Sequence, residues 1–277
     1  MAARKKAPPR TELTHADVMS AAVRPDAEMQ RRSQLLWDNR TLGSRGPKAA
    51  FTPDEVVQAA IDIADSEGSL GAVTMQAVSA QLGLTTMAVY RYFPSKETLY
   101  DAIIDAGMGA PPESADDGPW RDEVATWAHA KRDMLCARPW LAELPFVAAP
   151  HGPNWLMWLE ALARPFTRVG LRGEPVGQMI SIIDGYTRGA SDTSISLARA
   201  KARGESEQQW AAAVGADLGR AVGDPRYTAF ASILTAPLEG TPRTMRESFD
   251  FGLQRVLDGI ELYITGVRAT AAQDAPD

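Results

Sequence analysis

Residues 75–94 read MQAVSAQLGLTTMAVYRYFP, and this stretch decides the fold. Thr74 stands where a hydroxyl caps a short helix, and Val78 and Leu82 give that helix one apolar face. Gly83 supplies the backbone freedom of a tight turn. Thr85 is placed to cap a second helix, whose inward side chains are Leu84, Val89 and Tyr92. Two short helices joined in this way cross at a steep angle. Such a pair is often a plain structural corner, and it is also the unit that lays its second helix into the major groove of DNA.

The side chains left outside favour the second use. Thr85, Thr86, Met87, Tyr90 and Arg91 are expected to face the groove and the adjoining backbone. Threonine reaches bases or phosphates, methionine lies against a thymine methyl, and arginine pairs with guanine or phosphate. The Tyr90 hydroxyl is a phosphate donor, whereas Tyr92 and Phe93 brace the core. Next, Ser95 caps a further helix and puts Lys96 in its first turn, beside free backbone N–H groups that attract anions. The candidate DNA-contacting residues are Arg45, Lys48, Thr74, Thr85, Thr86, Met87, Tyr90, Arg91, Tyr92 and Lys96.

Upstream, Thr52-Pro53-Asp54-Glu55 is a strong helix start: cap, proline at the first helical position, and a glutamate that closes a capping box. The helix is expected over Pro53 to Glu67, with Val56, Ala60, Ile63 and Ala64 as its buried stripe and Gly68 ending it in a left-handed turn. A shorter helix is expected around Glu28 to Trp37. The segment Gly43-Ser44-Arg45-Gly46-Pro47-Lys48 reads as a linker.

The net charge of −6 speaks against nucleic acid until its distribution is seen. Residues 1–50 hold ten Lys/Arg against five acids, whereas residues 51–108 hold two bases against eight acids. Phosphate affinity is therefore assigned to the basic arm, with Arg45 and Lys48 reaching the backbone or minor groove; a solvated linker is the alternative.

The succession LGLTTMAVYRYFPSKETLYDAI resembles the DNA-binding domain of TetR-family regulators. Its turn glycine, recognition-helix tyrosine, following aromatic and helix-start lysine fall at matching positions. Met87 departs from the small residue common there, so no operator preference is carried across. Downstream, PWRDEVATWAHAKRDMLCARPWLAEL, HGPNWLMWLEAL and IIDGYTRGA resemble the C-terminal domain of the tetracycline-repressor branch. The resemblance implies an all-α chain: an N-terminal three-helix helix-turn-helix domain, then a helical ligand-binding and dimerisation domain. We divide the chain into an extension and linker (1–50), the DNA-binding domain (51–107), a Gly/Pro/Asp-rich linker (108–118), the C-terminal domain (119–268) and a frayed tail (269–277).

Composition agrees with helix: 45% hydrophobic residues, ordinary charge content and few β-branched runs. No apolar stretch is long enough to span a membrane, and the basic N-terminus lacks the apolar run of a signal peptide, so a cytoplasmic protein is expected. The single Cys136 forms no internal disulfide, and His15, His129 and His151 have no metal-ligand spacing. His129 and Cys136 lie seven residues apart without a third orienting group, and core packing accounts for both. No nucleophile-base pair, phosphate loop or cofactor motif appears, which leaves an enzyme a distant rival.

Five of seven tryptophans fall between Trp120 and Trp158. Large adaptable side chains line effector cavities, and Trp127, Met134, Trp155, Trp158, Met179, Ile183 and Tyr186 are the candidates; core packing is the alternative for each. Asp184, Arg188 and Asp192 recur every four residues, placed either to orient a ligand or to form an interface ladder. In the last segment Phe249, Leu253, Val256, Ile260, Tyr263 and Val267 make a pairing seam, beside Gly252, Gly259 and Gly266. The resemblance implies a homodimer bundle made by this helix and that around Pro175 to Ala202. Dimerisation would set two recognition helices against inverted half-sites, and a small-molecule effector would release the DNA; activation and non-specific architectural binding are the rival outcomes.

Overall fold

The computed structural model describes residues 27–38, 51–113, 118–143, 152–237, 241 and 243–273. Eleven α-helices and no strand occur among them. They are α1 (Ala27–Asp38), α2 (Pro53–Glu67), α3 (Met75–Leu82), α4 (Thr86–Tyr92), α5 (Lys96–Met108), α6 (Trp120–Ala137), α7 (Pro153–Arg168), α8 (Glu174–Ala202), α9 (Glu207–Leu218), α10 (Thr228–Thr235) and α11 (Met245–Gln273).

The N-terminal unit starts at the expected cap. Thr52 and Glu55 form a reciprocal capping box, and Gly68 ends α2 at φ 65°. Thr74 accepts the N–H of Ala77 and Thr85 that of Ala88, so α3 and α4 begin on threonine caps. Between them Gly83 adopts φ 64°, a left-handed conformation that costs glycine no Cβ clash. Val56, Val78, Val89, Phe93, Leu99 and Ile103 close the core shared by α2 to α5.

Helix α1 is part of this unit rather than a free arm. It packs on α5, where Leu36 is buried and the Arg32 guanidinium grips the Asp101 carboxylate through two bonds of 2.6 and 2.8 Å. Asp101 is almost wholly covered, and burial pushes its pKa up against the opposing pull of Arg32.

The C-terminal domain is a helical stack in which α6 packs against α7 and α8, and α8 against α11. Two differences from sequence expectation concern α11. Its buried residues are Phe249, Leu253, Leu257, Ile260 and Ile264, so the stripe is turned by roughly 40° from the expected seam at 100° per residue. Tyr263 and Val267 fall at its edge and are exposed, and the stripe packs into its own chain. The helix also runs on to Gln273 instead of fraying after Arg268, through the helix-forming run Ala269-Thr270-Ala271-Ala272. Gly252 is a close-approach position: a Cβ there would lie 2.4 Å from the Tyr186 hydroxyl. A Cβ at Gly259 or Gly266 would meet nothing.

The two halves are joined by specific polar contacts. The Trp140 indole N–H donates to Asp65 on α2 (2.6 Å), Arg138 donates to the Gly107 carbonyl (2.8 Å), and the Trp158 indole donates to the Gly109 carbonyl (3.1 Å). Asp105 on α5 accepts backbone N–H groups from Asn154 and Trp155 at the start of α7.

Candidate nucleic-acid interface and effector domain

Helix α4 holds its outward residues by burying Val89 and Phe93 beneath them. Met87 is 70% exposed and Tyr90 40%, and Thr85 and Arg91 are also exposed. Lys96 stands exposed in the first turn of α5, its ammonium 4.8 Å above the Tyr100 ring. Tyr100 is itself fixed, because its hydroxyl donates to the carbonyls of Leu70 (2.8 Å) and Val73 (3.0 Å). Ser95 and Thr98 cap that helix reciprocally. A flexible cation is thus held by a rigid ring beside a helix N-terminus, a favourable setting for a phosphate.

Three sequence candidates have other placements, and two lie beyond description. Thr86 shares a 3.3 Å hydroxyl contact with buried Ser79, which ties α4 to α3. The Tyr92 hydroxyl donates to the Phe51 carbonyl (2.9 Å), bracing the chain ahead of α2. Thr74 is exposed, but its hydroxyl is engaged as the α3 cap. Arg45 and Lys48 lie outside the described residues.

In the C-terminal domain the structure brings Trp127 and Trp158 edge to face, with centroids 5.6 Å apart and the Trp127 N–H donating to the Trp158 carbonyl (2.8 Å). Met179 and Ile183 are buried in the same core, while Met134 and Trp155 are half-buried at its margin. Tyr186 is set apart: its hydroxyl donates to the Phe249 carbonyl (2.6 Å) and its ring packs on Phe249, tying α8 to α11. The run Asp184, Arg188, Asp192 is not a single ladder. Asp184 is buried, Arg188 half-buried and Asp192 exposed, as expected when steps of four drift around a 3.6-residue helix.

Sequence reasoning passed over Lys131. Its side chain is buried, with the ammonium 3.9 Å from Asp184, 5.8 Å from the Trp127 ring centroid and 5.3 Å from that of Trp158. Burial lowers its pKa to about 8, against the pull of Asp184, and burial likewise raises that of Asp184. The signal was present: Val124, Trp127, Ala128, Lys131 and Leu135 keep the spacing of an inward stripe, and a lysine there is anomalous. Beside this cluster lies a cleft of about 240 Å³ between Pro112, Pro119, Thr126 and Ala161, and it shares Trp127 as a wall.

A helix-turn-helix with an exposed recognition face, joined to a helical domain with a polar group at its heart, defines a DNA-binding regulator architecture. Residues 62–103 match the family described as "Bacterial regulatory proteins, tetR family", and residues 111–264 match "Tetracyclin repressor-like, C-terminal domain". The chain is 33% identical over 248 residues to the HTH-type transcriptional repressor DrrR1 of Streptomyces coeruleorubidus, covering 88% of this chain and 90% of that one. It belongs to the TetR family of transcriptional regulators.

Solved structures agree on the fold. Apo ActR from Streptomyces coelicolor superposes with a TM-score of 0.60 at 20% identity, covering 83% of this chain and all of that one. The S. coelicolor regulator SCO7222 gives 0.58 at 24% identity, with 76% and 97% covered.

Proposed function

We propose that this regulator is a repressor which binds an inverted-repeat operator as a homodimer and leaves it when a small molecule occupies the C-terminal domain. The observation that carries the reading is the exposed set Met87, Tyr90, Arg91 and Lys96 on a rigidly capped α4–α5 corner. An apolar methionine and an aromatic ring left in water suit base and sugar contact, and the two cations suit phosphates. Kinship with a repressor over most of both chains supports repression over activation.

Dimer formation is assigned to the outer faces of α8 and α11. On α8, Ile182, Gly185 and Gly189 are exposed; on α11, Leu262 is 76% exposed between Gly259 and Gly266. A second copy laid on these small-residue faces would bury the stranded leucine and isoleucine and fix the distance between recognition helices. Arg45 and Lys48 are assigned to the DNA backbone or minor groove, since residues 51–108 are themselves acidic.

The test is equilibrium binding to DNA from immediately upstream of the gene, against scrambled DNA, across a salt series. Selective binding weakened by Tyr90→Ala and Lys96→Ala is the expected result. Equal weak binding to both DNAs, unchanged by these substitutions, would defeat the reading. Arg45→Ala with Lys48→Ala tests the arm without removing α1, whose loss would expose Asp101.

A further inference from the structure

Two last-turn residues of the DNA-binding unit meet the same two residues of the sensing domain. Asp65 lies in the last turn of α2 and Gly107 in that of α5. The Asp65 carboxylate accepts the Trp140 indole N–H on one oxygen (2.6 Å) and the Arg138 guanidinium on the other (3.3 Å). At Gly107 the Arg138 guanidinium donates to the carbonyl (2.8 Å), and a Cβ would lie 2.5 Å from the far edge of the Trp140 ring. That carbonyl is among those a helix end leaves without an intrahelical partner, and a cation suits it there. Trp140 has no exposed surface, so its ring is a plug that glycine at 107 admits and a larger residue would displace.

The plug is strapped to the sensing domain from behind. It sits on the short turn Pro139–Glu143, whose Pro139 carbonyl accepts from Arg199 on α8 (3.0 Å), and Arg199 also faces Glu143 at 3.8 Å. The end of α2 lies against the end of α8 as well, where a Cβ at Gly68 would be 3.6 Å from that of Ala202. Helices α2 and α5 share one core with the recognition helix α4, through Val56, Val89, Phe93 and Leu99. A continuous set of contacts therefore runs from α8, assigned above to the dimer, through Trp140 to the recognition helix.

We propose that Trp140 is a positioning residue for operator recognition: its plug fixes the angle between the DNA-binding unit and α8, and so the half-site spacing that the dimer accepts. This rests on the reading of the chain as a homodimer on an inverted repeat, with α8 in the interface. DNA makes the distance between recognition helices a strict quantity, because one inserted base pair moves a half-site by about 3.4 Å and turns it by roughly 35°. A joint free to tilt accepts neighbouring spacings, and a pinned one rejects them. The Trp140 indole is placed to pin. It is held by a hydrogen bond at its nitrogen and by close contact at the opposite edge, so a tilt of α2 or α5 breaks one of the two. The Asp65 side chain is 38% exposed, and a carboxylate open to water survives the loss of one donor, so Trp140→Phe is expected to fold.

Selection of binding sites from a random-sequence duplex pool by the full chain, read by sequencing, tests the assignment. The wild type should enrich inverted half-sites at one spacing and bind that site roughly tenfold more tightly than sites one base pair longer or shorter, about the cost of one mismatched pair. Trp140→Phe should enrich the same half-site sequence over several spacings and narrow that preference to about threefold or less. Arg138→Gln strips the partly exposed side of the same joint and should act in the same direction; it carries the test if Trp140→Phe does not fold, which thermal unfolding shows. A folded variant that loses stability but keeps the wild-type spacing preference would reduce Trp140 to packing and overturn the assignment. Inverted half-sites without a preferred spacing in the wild type would overturn it too, with the regulator reading intact. If the wild type enriches no inverted half-sites, the homodimer reading itself fails and this inference falls with it.

Discussion

The Asp105 carboxylate accepts the backbone N–H of Trp155 at 2.9 Å, so a side chain on the last helix of the DNA-binding unit caps a helix of the sensing domain. It takes the Asn154 N–H as well (3.3 Å), and the Asn154 amide returns a bond of 2.9 Å to the Asp105 carbonyl. Helix starts leave such donors unpaired, and a carboxylate also sits well in the positive field there. Any shift of α7 relative to α5 must break this clasp, which makes it one of the contacts through which the two domains feel each other.

Asp105→Ala should therefore destabilise the protein by about 2 kcal/mol, the upper range for loss of a helix cap. Gly152→Ala should act through the same clasp, because a Cβ at Gly152 would fall 2.2 Å from the Asp105 carboxyl carbon. Combining the two should cost clearly less than their sum, since the second has little left to disturb. Urea unfolding of both single variants and the double variant measures this. Strict additivity would show that the two residues act independently.

Much of this was legible in the chain and part was not, for a physical reason. Caps, turn glycines and apolar stripes are local, so Thr52, Thr74, Gly83 and Thr85 placed their helices to within a residue or two. Outward residues such as Met87 and Tyr90 follow from the stripe opposite them. What escaped were pairings between segments distant in sequence: Arg32 with Asp101, Trp140 with Asp65, Asp105 with Trp155 and Lys131 with Asp184. A helical stripe says that a charged residue points inward. It does not say which of several neighbouring helices supplies the partner. Tyr186 shows the same limit, since its helix position was clear but its bond to the Phe249 carbonyl was not.

At the DNA interface, charge and shape should separate. If Lys96 meets a phosphate as proposed, Lys96→Ala should weaken binding to all sequences alike and lower the salt slope by about 1. Met87→Ala removes an uncharged, exposed side chain from the face proposed to meet the groove. It should leave the slope unchanged while reducing discrimination at one base step by about 1 kcal/mol. Filter binding across a salt series, with the operator and single-base variants of it, reads both effects. A slope change with Met87→Ala would mean that the helix lies differently on the DNA.

The bond from Arg32 to Asp101 predicts that α1 is integral to the DNA-binding unit. Removing the arginine leaves a covered carboxylate without its counter-charge, which costs 3 to 5 kcal/mol in a fully buried pair; the guanidinium here is open to water on one side, so about 2 kcal/mol is expected for Arg32→Ala. Asp101→Asn alongside Arg32→Ala should recover much of the loss, because no charge remains buried. Thermal unfolding gives the answer. An Arg32→Ala variant as stable as wild type would mean that α1 is only loosely laid on α5.

Lys131 makes the last prediction, one of sign. Its pKa in the folded protein is about 8, below the ordinary lysine value of 10.5. Below pH 8 both folded and unfolded chains hold the proton, and the folded state bears the cost of burying it. Between about 8 and 10.5 the folded protein sheds a proton that the unfolded chain keeps, so the unfolded state binds more protons and stability rises with pH across that window. The gap corresponds to about 3 kcal/mol. Comparison with Lys131→Met at a fixed protein concentration cancels the titration of groups remote from Lys131. The wild type should therefore gain on the variant by up to about 3 kcal/mol between pH 7 and pH 10.5, measured by urea unfolding at each pH. A constant difference would mean that water reaches the ammonium freely.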